Sequence, residues 1–139
     1  MKLDIIIPVY NEDENIIKLV KELEKKIVCD FRILICYDNE SDSTLNYLKQ
    51  KNIIKKEILF IKNPEQGPNT AIIEGIKSSI AEIILVYMAD DFSNINLINK
   101  MTDLIEKGND LIIPSRFVQG GEMIGAKKLK KAVTLGGSY

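Results

Sequence analysis

Apolar residues recur in two alternating patterns along this chain of 139 residues. Short runs rich in Ile, Val and Leu predict buried strands. Longer segments in which apolar residues return every three or four positions predict helices packed on a sheet. The predicted strands are Leu3 to Val9, Phe31 to Tyr37, Glu57 to Ile61, the run that begins at Ile83, and Asp110 to Pro114. The resulting βαβαβαβαβ order is typical of an α/β fold with an open, mostly parallel sheet and helices on both faces.

Polar residues and helix breakers predict where the helices begin and end. Asn11 is a candidate N-cap of the first helix, because Glu14 follows three positions later with the spacing of a capping box. Pro68 suits the first turn of a helix that covers roughly Asn69 to Ser79. The last predicted helix should stop at Gly108, since glycine favours the left-handed backbone that ends helices.

The apolar run from Ile83 to Met88 predicts a strand that is buried on both faces in the middle of the sheet. Asp90 and Asp91 follow it almost directly. The loop after a strand of an open α/β sheet faces the crevice where ligands bind, so two carboxylates there could hold a hard cation against a phosphorylated ligand. The alternative is that one caps the helix beginning near Ile95 while the other is solvated.

Composition narrows the class of protein. With 45% hydrophobic and 28% charged residues, the chain has the make-up of one soluble globular domain, and no apolar run approaches the roughly 18 residues of a membrane span. A net charge of −1 gives no general attraction to nucleic acid. The absence of histidine excludes mechanisms that need imidazole. Cys29 and Cys36 are too few for a disulfide framework, which favours reduced thiols in a cytoplasmic protein.

The unusual residues cluster in four predicted loops at the carboxyl ends of strands. In chain order these loops contain Tyr10-Asn11-Glu12, Asp38 to Thr44, Gly67 to Thr70, and Ala89 to Asn94. Together with Ile5 to Val9 before them, and Pro114 to Val118 and Gly120-Gly121 after them, they resemble the family 2 glycosyltransferases. The resemblance is closest to the branch that contains dolichol-phosphate mannose synthase and the bacterial polyprenyl-phosphate glycosyltransferases, and it runs in order along nearly the whole chain.

This resemblance implies a nucleotide-sugar-binding fold of the Rossmann-like glycosyltransferase A type, a GDP- or UDP-linked sugar donor, and Mn²⁺ or Mg²⁺. The residues that it places around the donor are Pro8, Tyr10, Glu12, Asp38, Gly67 and Asp90. It assigns catalysis to Asp90, Asp91 and Arg116, with Asp90 and Asp91 as metal ligands and Arg116 as a phosphate ligand. Simpler structural roles remain open: a turn or cap for Asp38, an ordinary helix start at Gly67, and a surface ion pair for Arg116.

Three positions depart from the family pattern: Asn69 replaces a residue that is commonly small, and the other two lack an acid. Tyr37 and Met88 stand where the family often has the first acid of a pair. Asp91 could replace the ligand missing at Met88, but neighbouring side chains on an extended segment point in opposite directions, so a turn would be required. These departures bear on metal affinity and rate more than on the fold. An alternative function is therefore a catalytically silent nucleotide-sugar-binding or regulatory domain derived from such an enzyme.

The expected function is inverting, metal-dependent transfer of a sugar from a nucleoside diphosphate sugar to a polyprenyl phosphate or glycan, by a cytoplasmic protein that can work at the inner face of the membrane. Residues 1–117 are expected to form the donor-binding domain, and residues 118–139 a flexible acceptor-side loop and basic segment. Its lysines could contact acceptor phosphate or anionic lipid, or form a solvated face: Lys127, Lys128, Lys130 and Lys131. The resembled branch continues past the equivalent of Tyr139. Binding of nucleotide with slow or no transfer is therefore expected, unless a homo-oligomer completes the site.

Overall fold

The computed structural model describes residues 1–50 and 56–115. Met1–Gly108 form one compact unit around a four-stranded parallel sheet with the order β3-β2-β1-β4. The strands are β1 (Leu3–Val9), β2 (Phe31–Tyr37), β3 (Ile58–Lys62) and β4 (Ile83–Val86). The helices are α1 (Asp13–Lys26), α2 (Ser43–Gln50), α3 (Pro68–Ser78) and α4 (Ile98–Glu106), with a 3-10 turn at Ile95–Leu97.

Helices cover both faces of the sheet, which confirms the predicted α/β class. Alternate residues of β1 and β2 pack with α1, α2 and the start of α4 in the larger core. On the opposite face, Ile6, Leu34 and Cys36 pack against Ala71 of α3. A Cβ atom added to Gly75 of α3 would lie 2.5 Å from Ile6 Cγ2. Glycine at this position therefore sets how closely α3 approaches the sheet.

The prediction that the run beginning at Ile83 forms a central strand buried on both faces was wrong for the part of the chain that the structure describes. Among the described residues β4 pairs only with β1, so it lies at the edge of the described sheet. Its side chains alternate: Ile84 and Val86 are each 41% exposed, whereas Ile83 and Leu85 pack against the core. A continuous apolar run shows that a strand is hydrophobic, but it does not show how many neighbours the strand has.

The prediction of a fifth strand from Asp110 to Pro114 was also wrong. Asn109 begins a second unit, whose described residues, 109–115, form neither helix nor strand. A β-strand is defined by hydrogen bonds to a neighbouring strand, which a short apolar run cannot guarantee, and Pro114 has no N–H to donate. The segment 118–139, its lysine cluster and the domain boundary at residue 117 lie outside the described residues.

The predicted starts and stops of helices had mixed outcomes. Pro68 is the first residue of α3, and Gly108, with φ of +96°, follows the end of α4, so both predictions are confirmed. Asn11 does not cap α1, whose N-cap is Glu12 without a side-chain hydrogen bond. Instead Asn11 Oδ1 accepts a hydrogen bond from the backbone N–H of Ser43 (3.2 Å) at the start of α2. A capping pattern along the sequence cannot reveal a second helix that becomes a neighbour only in the fold.

Helix length and polarity also bear on contact with membranes. None of the helices in the described parts of the chain is both long and apolar enough to cross a bilayer.

A buried ion pair joins β1, β2 and the end of α3 near the amino ends of the strands. Asp4, which is fully buried, accepts hydrogen bonds from Arg32 Nε (2.7 Å) and Nη2 (3.0 Å). Its Oδ2 also accepts from Ser79 Oγ (2.6 Å) and the N–H of Ile80 (3.1 Å). Burial by itself would raise the pKa of Asp4, but these hydrogen bonds outweigh it and lower that pKa.

Candidate functional site

A cavity of about 360 Å³ opens where the carboxyl ends of the parallel strands meet. Loops at this edge of an open α/β sheet commonly form ligand sites, and the volume lies in the range of small-molecule sites. Its walls are formed by Pro8, Val9, Tyr10, Glu12, Asp38, Gly67, Pro68, Ala71 and Met88. The structure therefore brings together all of the predicted donor-binding residues except Asp90.

Asp38 links the end of β2 to the loop between β3 and α3. Its Oδ1 accepts a hydrogen bond from Asn63 Nδ2 (2.5 Å), and its Oδ2 accepts one from the N–H of Gly67 (3.0 Å). Gly67 has φ of +125°, a conformation that residues with a side chain rarely adopt. The ionised carboxylate can accept further hydrogen bonds, so Asp38 can bind a ligand while it holds this loop.

The loop between β1 and α1 places Glu12 between two residues with left-handed backbone conformations. Asn11 has φ of 53° and Asp13 has φ of 46°, values that are uncommon without glycine and cost free energy. Hydrogen bonds to the end of the loop between β2 and α2 and to the first turn of α2 offset this strain. The N–H of Asn11 donates to Asp42 Oδ1 (3.1 Å), and the N–H of Glu12 donates to Thr44 Oγ1 (3.0 Å). Glu12 is therefore held in place at the wall of the cavity.

Negative charge is concentrated around Glu12. Burial raises the pKa of its carboxyl group, and the charges of Asp90, Asp42 and Asp13 raise that pKa further. These charges repel one another, and they would also repel a bound phosphate. A phosphorylated ligand at this edge of the sheet is therefore favoured only if positive charge comes with it.

Asp90 and Asp91 lie in different environments. Asp91 Oδ1 accepts hydrogen bonds from the N–H groups of Ser93 (3.0 Å) and Asn94 (3.1 Å), and its Oδ2 accepts one from Asn94 Nδ2 (2.7 Å). Asp91 therefore shapes the turn before the 3-10 segment, but it does not cap that segment as the alternative expected, because the N-cap is Asn94 and has no side-chain hydrogen bond. Asp90 is exposed, and no hydrogen bond to its carboxylate is found among the described residues. The catalytic and metal-binding roles of both residues stay predictions.

Whether these residues suit a divalent cation depends on where its other ligands come from. Within residues 1–50 and 56–115, no three His, Cys, Asp or Glu side chains are grouped so that they could hold a metal ion. Mg²⁺, however, is usually bound through one or two carboxylates, with phosphate and water oxygens as the remaining ligands. Asp90 fits that second kind of site. Arg116, the predicted phosphate ligand, lies outside the described residues.

Sequence reasoning assigned no role to Asn63 or Thr44. Asn63, only 5% exposed, binds Asp38, and Thr44, fully buried, binds the backbone of Glu12. The position of Asn63 just after a predicted strand, at the same edge as Asp38, could have identified it. Thr44 was predicted only as the end of the polar loop Asp38 to Thr44, and nothing in that run shows that its hydroxyl meets the backbone of Glu12.

Comparisons with known proteins show what this chain is similar to. The chain is similar to a dolichol-phosphate mannosyltransferase of Pyrococcus furiosus, with 27% identity over 137 residues, which is 98% of this chain and 39% of the relative. It is 26% identical over 120 residues, 80% of its length, to the undecaprenyl-phosphate 4-deoxy-4-formamido-L-arabinose transferase of Proteus mirabilis, of which it covers 36%.

A third relative is the GalNAc(5)-diNAcBac-PP-undecaprenol beta-1,3-glucosyltransferase of Campylobacter jejuni, with 25% identity over 111 residues, 78% of this chain and 35% of that protein. The chain thus spans less than two fifths of the length of each of these relatives. The model of the family described as glycosyl transferase family 2 matches residues 4–134. This match covers nearly all of the chain, and we conclude that the protein belongs to glycosyl transferase family 2.

Proposed function

We propose that the cavity binds a nucleoside diphosphate sugar and that the active protein transfers the sugar to a polyprenyl phosphate or a glycan. The observation that carries this proposal is the gathering of Pro8, Tyr10, Glu12, Asp38 and Gly67 around one cavity. The acceptor class is supported by the names of the relatives, two of which act on dolichol phosphate or undecaprenyl phosphate and one on an undecaprenol-linked glycan.

The nucleotide would be recognised by three kinds of contact. Tyr10 lines the cavity and is 76% exposed, so its ring can offer a face on which a base stacks. Asp38 can accept hydrogen bonds from N–H groups of the base or hydroxyl groups of the ribose. Gly67 has no side chain, so its backbone can approach the ligand closely. These contacts suit GDP and UDP alike, so both nucleotides are used to test binding.

The diphosphate would meet the negative charge of Glu12 and Asp90, so we propose that a divalent cation binds with it. Asp90 would hold this cation together with phosphate oxygens, and Asp91 would keep the loop in shape through its three hydrogen bonds. A bound Mn²⁺ or Mg²⁺ supplies positive charge that stabilises the departing nucleoside diphosphate.

Transfer would proceed by direct displacement. An acceptor oxygen forms a bond to the anomeric carbon as the bond from that carbon to the diphosphate oxygen breaks, and the configuration inverts. A phosphate acceptor is already anionic, so no side chain has to remove a proton from it. Arg116 would bind phosphate, and the cluster Lys127, Lys128, Lys130 and Lys131 would contact acceptor phosphate or anionic lipid at the cytoplasmic face of a membrane.

A catalytically silent donor-binding domain is the second candidate. Met88, which stands where the family often has an acid, lines the cavity and is 51% exposed. An apolar side chain therefore occupies a position that could otherwise supply a second carboxylate, while the carboxylate of Asp91 accepts hydrogen bonds within its own turn. Metal-dependent hydrolysis or transfer of labelled GDP- and UDP-sugars separates the two functions, because a silent domain binds donor without turnover.

Thermal melts with GDP or UDP and Mn²⁺ or Mg²⁺ test donor binding. Ligand at about a hundred times its dissociation constant should add roughly 2.7 kcal/mol to the free energy of unfolding. Asp90→Asn should remove the metal-dependent part of this gain and leave the unliganded melt nearly unchanged, because Asp90 is exposed. Asp103→Asn, an equally exposed acid on α4, is the control and should behave like the wild type. A melt that neither nucleotide moves in the presence of metal would refute the proposal.

A further inference from the structure

We infer that Asn63 is a positioning residue for nucleotide recognition and that it acts through the carboxylate of Asp38. This inference rests on the proposed function, because Asp38 is taken to accept hydrogen bonds from the nucleotide. Asn63 does not line the cavity itself. It lies just behind Asp38, and its Nδ2 donates a hydrogen bond of 2.5 Å to Asp38 Oδ1.

The surroundings of the Asn63 side chain argue against a role in packing alone. The residue is 5% exposed, and its Oδ1 is buried without a hydrogen-bond partner among the described residues. An unpaired buried carbonyl is unfavourable, so an apolar side chain would fill this space at lower free energy. What asparagine adds is the N–H donor. The reverse orientation of the amide would place Oδ1 against a carboxylate oxygen of Asp38, so this contact itself fixes which end of the amide faces Asp38.

Asn63 completes a hold on Asp38 at two points. One carboxylate oxygen accepts from Asn63 Nδ2 and the other from the N–H of Gly67, which fixes the plane of the carboxylate. The remaining lone pairs are then presented to the cavity before any ligand arrives. Hydrogen bonds to an ionised acceptor are stronger than those between neutral groups. If Asn63 loses its amide, only Gly67 holds Asp38, and binding must then restrict a carboxylate that rotates more freely.

The test measures the affinity for GDP and for UDP in the presence of Mg²⁺ by calorimetry. Asn63→Ala should weaken binding of the preferred nucleotide by roughly tenfold to a hundredfold, the loss expected for one hydrogen bond to a charged group. In an Asp38→Ala background the same substitution should have no further effect, because Asn63 has then lost the group through which it acts.

Asn99 provides a matched control. Its Nδ2 donates to the backbone O of Lys26 (2.8 Å) and its Oδ1 accepts from the N–H of Val28 (3.1 Å), so it also joins two segments, at a place away from the cavity. Asn99→Ala should lower the melting temperature and leave the affinity for nucleotide unchanged. Asn63→Ser keeps a shorter hydrogen-bond donor. It is measured with and without Asp38→Ala in the same way, and it replaces Asn63→Ala in the test if that variant does not fold.

The outcomes separate this inference from the function on which it rests. If the wild-type protein binds neither GDP nor UDP, the proposed function is refuted and the inference falls with it. If the wild type binds but Asn63→Ala matches its affinity while melting earlier, Asn63 is only structural and the inference alone is overturned. An equal loss of affinity from the Asn63 substitution with and without Asp38 would overturn it as well, since Asn63 would then act by another route.

Discussion

Removing the charge of Asp4 should destabilise the fold strongly without affecting nucleotide binding. Asp4→Asn preserves the shape of the side chain but takes from Arg32, which is 7% exposed, the carboxylate that it binds through two hydrogen bonds, and leaves the exposed Glu57 as a weaker source of negative charge. Breaking a buried pair in this way costs about 3–5 kcal/mol, a large part of the roughly 5–15 kcal/mol that stabilises a domain. For a chain of this size the loss corresponds to a fall in melting temperature of roughly 10–20 °C.

The pH dependence provides an internal check on this prediction. Because the pKa of Asp4 is lowered in the folded state, its contribution to stability is present above the unfolded value of about 3.9 and is lost as the pH falls towards the folded value. The difference between Asp4→Asn and the wild type should therefore be largest near neutral pH and should shrink below about pH 4.

Urea and thermal denaturation followed by circular dichroism at pH 7 and in acid measure both effects. Glu82→Gln is the control: the Glu82 side chain, a partner of Lys2, is 70% exposed, so its removal should leave stability nearly unchanged. Adding Arg32→Met to Asp4→Asn should recover part of the loss, because no buried charge then remains unpaired. A single variant Asp4→Asn within about 1 kcal/mol of the wild type at pH 7 would refute the reasoning.

Three further substitutions test the packing of α3 and the loop that carries Glu12. Gly75→Ala puts a methyl group 2.5 Å from Ile6 Cγ2. This contact should lower the free energy of unfolding by about 1–3 kcal/mol in urea denaturation, despite the better helix propensity of alanine. A gain in stability would contradict this prediction. Thr44→Val removes the acceptor for the N–H of Glu12 and should cost about 1–3 kcal/mol; unchanged melting would show that water replaces the hydroxyl. Because the pKa of Glu12 is raised, Glu12→Gln should raise the melting temperature at pH 7 and should have no effect below the pKa of the unfolded carboxyl. A lower melting temperature of this variant at pH 7 would show that the charge of Glu12 is stabilising.

Local features of the sequence were enough to predict most of the secondary structure. The bounds predicted for β1 and β2 match those observed, because a strand buried on both faces is apolar along its whole length. Pro68 and Gly108 marked the start of α3 and the end of α4 through their own backbone preferences. The order of the motifs along the chain also identified the family, since each motif is a short run of neighbouring residues.

The sequence could also place the candidate site, but only coarsely. Strands that run parallel bring their carboxyl ends to one edge, so the sequence predicts that Tyr10, Asp38 and Gly67 lie near one another, and they line one cavity. The local pattern did not separate Asp90 from Asp91. Which of two adjacent carboxylates turns back to its own loop depends on backbone angles that a pair of aspartates does not reveal.

Tertiary structure alone decided the contacts between distant parts of the chain. Asn63 meets Asp38 across 25 positions, Asp4 meets Arg32 across 28, and the N–H of Glu12 meets Thr44 across 32. Each partner is an ordinary polar residue in its own segment, so no local pattern marks it. The same holds for β4, whose place at the edge of the described sheet depends on which strands pair beside it rather than on its own apolar residues.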